Sequence, residues 1–404
     1  MARIGFIGVG MMGHGMAANL MRGGHDLAIM AHRNRAPVDD LVAHGAAEAA
    51  DPAEIAAAEV IFFCLPDSRI VEETVNALVP HLTAGQMIVD TGTSDPGSTK
   101  ELHARLQAIG VDLVDAPVTG GPPQAEAGDL TTLAGASDEA FALVEPLLAA
   151  YSKAVVRMGG PAAGHTAKLL NNFVTHGTAT LLALAYGIAR DVDVDWAKLH
   201  QAMNVGAARS GTFDKMITPA ILGDYRGHSF TLANAWKDIR YFAGLAESLS
   251  RRTALVDGIE KVLRGANEAG FGDRFVSELL DPEIADRVRG QIDQFHAERL
   301  KAITDRVIER DIDRVEALDD VVFSGPWRQV FDAADRFEKD CGYKFHSLPN
   351  DYVSHSYIFE YGNHEFGIDI PLWSDGMLTD VQVRLDVTLK DGRFLSEFQD
   401  LLIP

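Results

Sequence analysis

The sequence predicts a doubly wound parallel α/β sheet, followed by an all-α segment and a small C-terminal α+β segment, and three observations carry that reading. Short apolar strands alternate with helical stretches over residues 3–114, which is the signature of successive βα units. Residues 165–280 show no period-two stretch and read as helices. Beyond Asp281-Pro282 the pattern changes again, to a highly charged helical run at 286–318 and then to alternating apolar and polar residues. The implied division is 1–163, 164–285 and 286–404.

The first element is the apolar strand at residues 3–7. It runs straight into Gly8-Val9-Gly10-Met11-Met12-Gly13, which opens a helical run at 16–22, and Gly23-Gly24 then leads to a second strand at 26–31. A lone G-x-G-x-x-G is a weak signal, because glycine-rich turns are common. Between a strand and a helix it becomes a dinucleotide-binding fingerprint: Gly8, Gly10 and Gly13, with Met11 and Met12, let the backbone approach a pyrophosphate whose charge meets the helix N-terminus.

The end of the second strand bears on which dinucleotide binds. An NAD site usually carries Asp or Glu there to bond the ribose hydroxyls. This chain reads Ala31-His32-Arg33-Asn34-Arg35, with no carboxylate. Arg33 and Arg35 are either solvated loop charges or a guanidinium fork for a 2′-phosphate, so NADP is expected ahead of NAD.

Strands at 60–65 (ended by Pro66), 87–90 and 111–114 follow. The loops after the last two, Thr91-Gly92-Thr93-Ser94-Asp95-Pro96 and Asp115-Ala116-Pro117-Val118-Thr119-Gly120-Gly121, lie at carboxyl ends of strands, where doubly wound sheets bind ligands. Thr119 with Gly120-Gly121 is either a plain tight turn or a set of backbone N–H donors suited to a carboxylate.

Gly164-His165-Thr166-Ala167-Lys168-Leu169-Leu170-Asn171-Asn172 opens a long apolar run at 173–189. On a helix, Lys168 and Asn172 stand on one face, four residues apart. Burying an ammonium and a carboxamide together is costly without partners. Either Lys168 snorkels from a core helix and Asn172 caps a neighbour, or the pair belongs to a site. Residues 179–189 are apolar nearly all round, which predicts a helix buried on several sides.

Composition removes several classes of function. A formal charge of −22 argues against a nucleic-acid or anionic-membrane surface, though not against a small anionic ligand held locally. No apolar run reaches the roughly 18 residues of a membrane span, and the first ten residues turn to glycine too early for a signal peptide. Cys64 and Cys341 offer no disulfide framework, which fits a reducing cytoplasm. The 14 histidines show no ligand spacing, so no metal is expected. His346, His355 and His364 recur every nine residues, and they read as solvated or core histidines.

Four separated motifs resemble the β-hydroxyacid dehydrogenases, the group of 3-hydroxyisobutyrate dehydrogenases and glyoxylate/succinic semialdehyde reductases. They are the glycine turn with Met16-Ala17-Ala18-Asn19-Leu20, the Asp115 to Gly121 loop continuing through Gly128 to Leu130, Gly164 with Lys168 and Asn171-Asn172, and Lys237-Asp238. The resemblance covers about residues 1–280. Three positions depart from it: Thr119 stands where serine is usual, Ala162 replaces a frequent glycine and stiffens the lysine loop, and Asn234 sits where leucine is common.

The resemblance implies a Rossmann domain for 1–163, an all-α substrate and dimerisation domain begun by a long interdomain helix for 164–285, and at least a homodimer. It implies NADP- or NAD-dependent hydride transfer to or from a 3-hydroxy acid or the matching semialdehyde. Lys168 would be the general acid/base. Thr119, Gly120 and Gly121 would hold the substrate carboxylate, Asn172 would orient it, and Lys237 would close over cofactor and substrate with Asp238 behind it. Leu65, Pro66 and Thr93 would line the cofactor. Two other readings share the fold, an imine reductase and a non-catalytic NADP-binding scaffold. The first generally lacks the lysine, and the retained Lys168, Asn172 and Lys237 weigh against the second.

The third segment is unusual for that family. The stretches at 357–361 and 381–389 alternate apolar and polar residues before Lys390-Asp391-Gly392-Arg393, predicting an antiparallel sheet with one wet face and no catalytic constellation.

Overall fold

The computed structural model describes residues 2–31 and 34–291, and beyond them the backbone of strands at 321–324, 357–362, 365–374, 377–390 and 393–402. Arg33, Cys341, His346, His355, His364, the Asp391-Gly392 turn and the charged run past 291 lie outside the described residues. The chain divides into two compact units, residues 1–248 with 271–281, and residues 249–270 with 282–404.

The first unit begins with β1 (Arg3–Ile7), α1 (Gly13–Arg22), β2 (Asp26–Met30), α2 (Ala36–Ala43), β3 (Ala47–Ala49), α3 (Pro52–Ile55), β4 (Val60–Phe63), α4 (Ser68–Leu78), β5 (Met87–Asp90), α5 (Pro96–Gln107) and β6 (Asp112–Asp115). The strand order is β3-β2-β1-β4-β5-β6, with all these neighbours parallel. The order reverses between β1 and β4, the switch point at which such sheets open a crevice. Period-two strands feed both faces. Phe6 and Phe62 stack at 6.0 Å in one core, while Ile61 and Phe63 enter the other.

Past β6 the sheet is no longer uniformly parallel. It continues through β7 (Val118–Thr119), α6 (Pro122–Ala127), β8 (Leu130–Gly135), α7 (Asp138–Ala149) and β9 (Ser152–Gly159). β8 runs antiparallel to β6 and β7, and β9 parallel to β8. β7 is two residues long and β9 is largely solvent-facing, so neither offers the apolar run that marks a strand in sequence.

The helical half follows: α8 (Ala163–Asp191), α9 (Trp196–Asn204), α10 (Gly211–Ala220) and α11 (Leu232–Ser248). Its hinge to the sheet is a buried carboxylate. Asp115, at the end of β6, accepts the backbone N–H groups of Ala162 (2.7 Å) and His165 (2.8 Å), satisfying donors that the first turn of α8 leaves free. Ala162 there is left-handed, at φ 70°. This is the departure where glycine is frequent, and alanine holds that conformation at a cost of about 1–2 kcal/mol.

α8 corrects one expectation. Ala179, Leu182, Tyr186 and Ala189 are buried, but Leu181, Leu184 and Ile188 are exposed and continue a stripe begun by Leu170 and Val174. The helix is apolar on both sides and covered on one within this chain. Among the described residues, no helix is long and apolar enough to cross a membrane.

The second unit holds α12 (Ala254–Ala266), helical residues 282–291, and strands β10 (Val321–Ser324), β11 (Tyr357–Gly362), β12 (Glu365–Ser374), β13 (Met377–Lys390) and β14 (Arg393–Leu402). Their order is β10-β14-β13-β12-β11, antiparallel except for the parallel β10–β14 pair. The predicted antiparallel sheet is therefore present.

Candidate functional site

At the switch point, the backbone after β1 is shaped by glycine. Gly8 has φ +101°, and a Cβ there would lie 2.3 Å from the Cys64 carbonyl oxygen, so no other residue fits. A Cβ on Gly10 would meet only open space. α1 starts at Gly13 without a side-chain cap from Met12; in its first turn the His14 N–H bonds the Gly10 carbonyl at 2.9 Å, and Met11 is exposed. By contrast α4, α5 and α7 are capped by Asp67, Asp95 and Ser137. An uncapped helix N-terminus beneath an open glycine turn fits the pyrophosphate of a dinucleotide.

The ends of β4 and β5 are tied together by one lysine. Lys237, on α11, donates to the carbonyl oxygens of Pro66 and Thr93, both at 2.9 Å, and sits 3.2 Å from Asp238. Leu65, Pro66, Thr93 and Lys237 therefore meet at the carboxyl edge of the sheet. Beneath them, Asp90 accepts from Gly92 N–H and the Ser94 hydroxyl, which fixes the loop bearing Thr93. Fully buried His165 bonds Thr99 at 2.8 Å and reaches to 3.6 Å from Asp90.

Thr119, Gly120, Gly121, Lys168 and Asn172 line a single cleft of about 580 Å³. Asn172 is oriented from both ends of its carboxamide: it donates to Asp238 at 2.6 Å and accepts from Asn171 at 3.1 Å. Lys168 is only 8% exposed, yet among the described residues it makes no hydrogen bond or ion pair. It does not snorkel to bulk solvent. Burial pushes its ammonium down to about 8, Asp238 pulls it partly back up, and Lys237 adds a further push down. Asp238 stays ionised: burial pushes its carboxyl up, but Lys237, then His176 and Lys168, outweigh that and hold it low.

One sequence candidate is otherwise engaged. Arg35 pairs with Glu48 (2.5 and 3.0 Å) and Asp39 (2.7 Å) at the start of α2. Other residues were not anticipated. His176, Lys215 and His228 line the same cleft as Lys168, and nothing in their local sequence announces it. Among the described residues, no group of three His, Cys, Asp or Glu side chains is placed to hold a metal ion.

Comparison with known proteins defines the class first. Residues 3–160 match the model described as the NAD binding domain of 6-phosphogluconate dehydrogenase. Residues 162–282 match the one described as NAD-binding of NADP-dependent 3-hydroxyisobutyrate dehydrogenase. The chain is thus built as a nicotinamide-dependent oxidoreductase, with an NAD(P)-binding sheet domain and a helical domain behind it.

Individual relatives narrow this further. The chain is 31% identical to 3-sulfolactaldehyde reductase of Escherichia coli K12 over 285 residues, 70% of this chain and 95% of that one. It is 32% identical to 2-(hydroxymethyl)glutarate dehydrogenase of Eubacterium barkeri over 283 residues, 69% and 93% of the two chains. Its fold superposes on Mycobacterium tuberculosis 3-hydroxyisobutyrate dehydrogenase, solved with L-serine, at a TM-score of 0.64 and 22% identity, covering 69% of this chain and 98% of that one. The chain belongs to the β-hydroxyacid dehydrogenase family, among its 3-hydroxyisobutyrate dehydrogenase-like members, as the four motifs implied.

Proposed function

We propose that this enzyme transfers a hydride between NADP, in preference to NAD, and a 3-hydroxy acid of the 3-hydroxyisobutyrate type or its semialdehyde. The observation that carries the reading is Lys168, buried, without a partner among the described residues and titrating near 8 in a cleft. A lysine so poised serves as general base toward a hydroxyl when neutral and general acid toward a carbonyl when protonated.

The other residues act around that proton. The N–H groups of Gly120 and Gly121 and the Thr119 hydroxyl hold the substrate carboxylate. Asn172, locked by Asp238 and Asn171, uses its remaining hydrogen-bonding capacity to orient the reacting oxygen. Gly8, Gly10, Met11, Met12 and Gly13 hold the pyrophosphate, Arg33 the 2′-phosphate, and Leu65, Pro66 and Thr93 the nicotinamide end. Lys237 spans cofactor and substrate. When bound, the nicotinamide accepts or supplies the hydride.

Three further elements belong to this reading. Residues 1–163 form the cofactor domain, 164–285 the substrate and dimerisation domain, and 286–404 an added domain. Two copies pair through the exposed apolar stripe of α8, whose five large side chains fit burial against a second chain. The enzyme works in a reducing cytoplasm, in keeping with two cysteines far apart in sequence. Initial rates over a panel of 3-hydroxy acids and small aldehydes, with NADP and NAD, test the function. Oxidation of a 3-hydroxy acid with NADP favoured is expected; turnover of none of them refutes it.

A further inference from the structure

The cleft that holds Lys168 has a second polar end. α10 begins at Gly211, and Gly211 and Thr212 line the cleft at its N-terminus. Ser210 caps α10 by accepting the Phe213 N–H at 3.1 Å, as Ser137 caps α7, so this helix start matters for its place at the cleft and not for lacking a cap. The partial positive charge of a helix start therefore faces the cleft. Lys215, one turn further along α10, lines it too and makes no ion pair among the described residues. Its neighbour Asp214 is engaged by Arg209 at 3.4 Å and does not line the cleft.

His228 completes this end. Gly227 packs so closely on α10 that a Cβ would lie 2.2 Å from the Lys215 carbonyl oxygen, and Ser277 accepts the His228 N–H at 3.1 Å. The imidazole is thereby held beside the helix, with Nδ1 buried and without a hydrogen-bond partner among the described residues. Burial pushes it down to about 4, with Lys215 and then His176 pushing the same way. His176 is 1% exposed and lines the cleft; among the described residues its ring nitrogens make no hydrogen bond, and Nε2 lies 3.9 Å from the Asp238 carboxylate. Among the described residues lining the cleft there is no Asp or Glu, in a chain of formal charge −22.

Resting on the hydride-transfer reading above, we infer that the substrate carries a second anionic group, held by Lys215, His228 and the N-terminus of α10. The first carboxylate sits on the Thr119-Gly120-Gly121 loop of the sheet domain. The second is met from the helical domain, so the two charges span the cleft with the reacting carbon between them, beside Lys168. A substrate with an apolar tail puts no acceptor against the Lys215 ammonium, which then faces solvent, or against the buried Nδ1 of His228. Lys215 and His228 are the specificity-determining residues in this arrangement.

The test is calorimetric titration of the full chain with succinate, glutarate and adipate, each against its matched monoacid, butyrate, valerate or caproate. A charge-assisted hydrogen bond to an anion is worth about tenfold in binding. The best dicarboxylate should therefore bind at least about tenfold tighter than its monoacid. Lys215→Met should bring that ratio close to one, and Lys215→Arg should restore most of it. A ratio near one in the unaltered protein overturns the inference. So does a Lys215→Met variant that weakens both acids equally, which is what a merely structural role would produce. Parallel assays of NADP-dependent oxidation of 3-hydroxypropionate and of its dicarboxylic counterpart 2-(hydroxymethyl)succinate separate the two readings. Oxidation with no dicarboxylate preference removes the second anion site alone, whereas a Lys215-dependent preference without oxidation removes the hydride-transfer reading alone.

Discussion

Replacing Lys168 with methionine should make the protein more stable while disabling it. The side chain lies in a cleft wall at 8% exposure, and its ammonium titrates at about 8 against an ordinary 10.5. That gap, at about 1.4 kcal/mol per pH unit, corresponds to about 3 kcal/mol. The sign follows from the direction. The folded pKa lies below the unfolded one, so the unfolded chain binds more protons between 8 and 10.5. The destabilisation is complete below about 8 and fades as the pH rises toward 10.5, above which the lysine is neutral in both states. Methionine has a similar length and no charge. Lys168→Met should therefore gain up to about 3 kcal/mol at neutral pH, and little at pH near 10.5. Guanidinium denaturation of both proteins without cofactor, at the two pH values, reads the difference directly. A gain that is absent at neutral pH, or equal at both, would refute the picture of a lysine held in the cleft against its own hydration.

Arg33→Ala should weaken NADPH binding by about tenfold while NADH changes little, because the guanidinium fork is matched to the 2′-phosphate; equal losses would show that Arg33 does not read it. Leu184→Glu puts a charge in the exposed stripe of α8 and should raise the dimer dissociation constant at least about 100-fold. Light scattering that still finds a dimer at the same concentration would remove that face from the interface. A chain ending at Gly290 should fold, dimerise and keep its turnover, since 285 residues of this chain span 95% of the sulfolactaldehyde reductase relative. A truncated dimer with collapsed turnover would show that the last domain contributes to the site.

The sequence was legible where one local pattern has one physical cause. A strand, an early glycine turn and a helix announced β1, the Gly8 backbone and the uncapped start of α1, because only glycine tolerates that approach to Cys64. Lys168 and Asn172 were legible because a four-residue spacing on a helix places them together wherever the helix goes. Other features depend on distant partners. Arg35 looked like a phosphate ligand until β3 brought Glu48 alongside it. Apolar residues around α8 predicted burial on several sides, but hydrophobicity is the same signal for a core and for an uncovered face, and Leu181, Leu184 and Ile188 belong to the second. Lys215 and His228 were invisible because Gly227 joins them across a fold that neither local sequence encodes. The antiparallel turn of β8 was hidden by the brevity of β7.

The central claim is that Lys168 moves the proton that accompanies hydride transfer. Single-turnover oxidation of a 3-hydroxy acid, followed by NADPH absorbance at saturating NADP, tests it in the unaltered protein and in Lys168→Ala, with NADP affinity measured alongside. The expected result is a rate lower by about 10²–10⁴ with cofactor affinity retained, the scale of a lost general acid/base. A Lys168→Ala enzyme that keeps half the rate or more would contradict the claim outright.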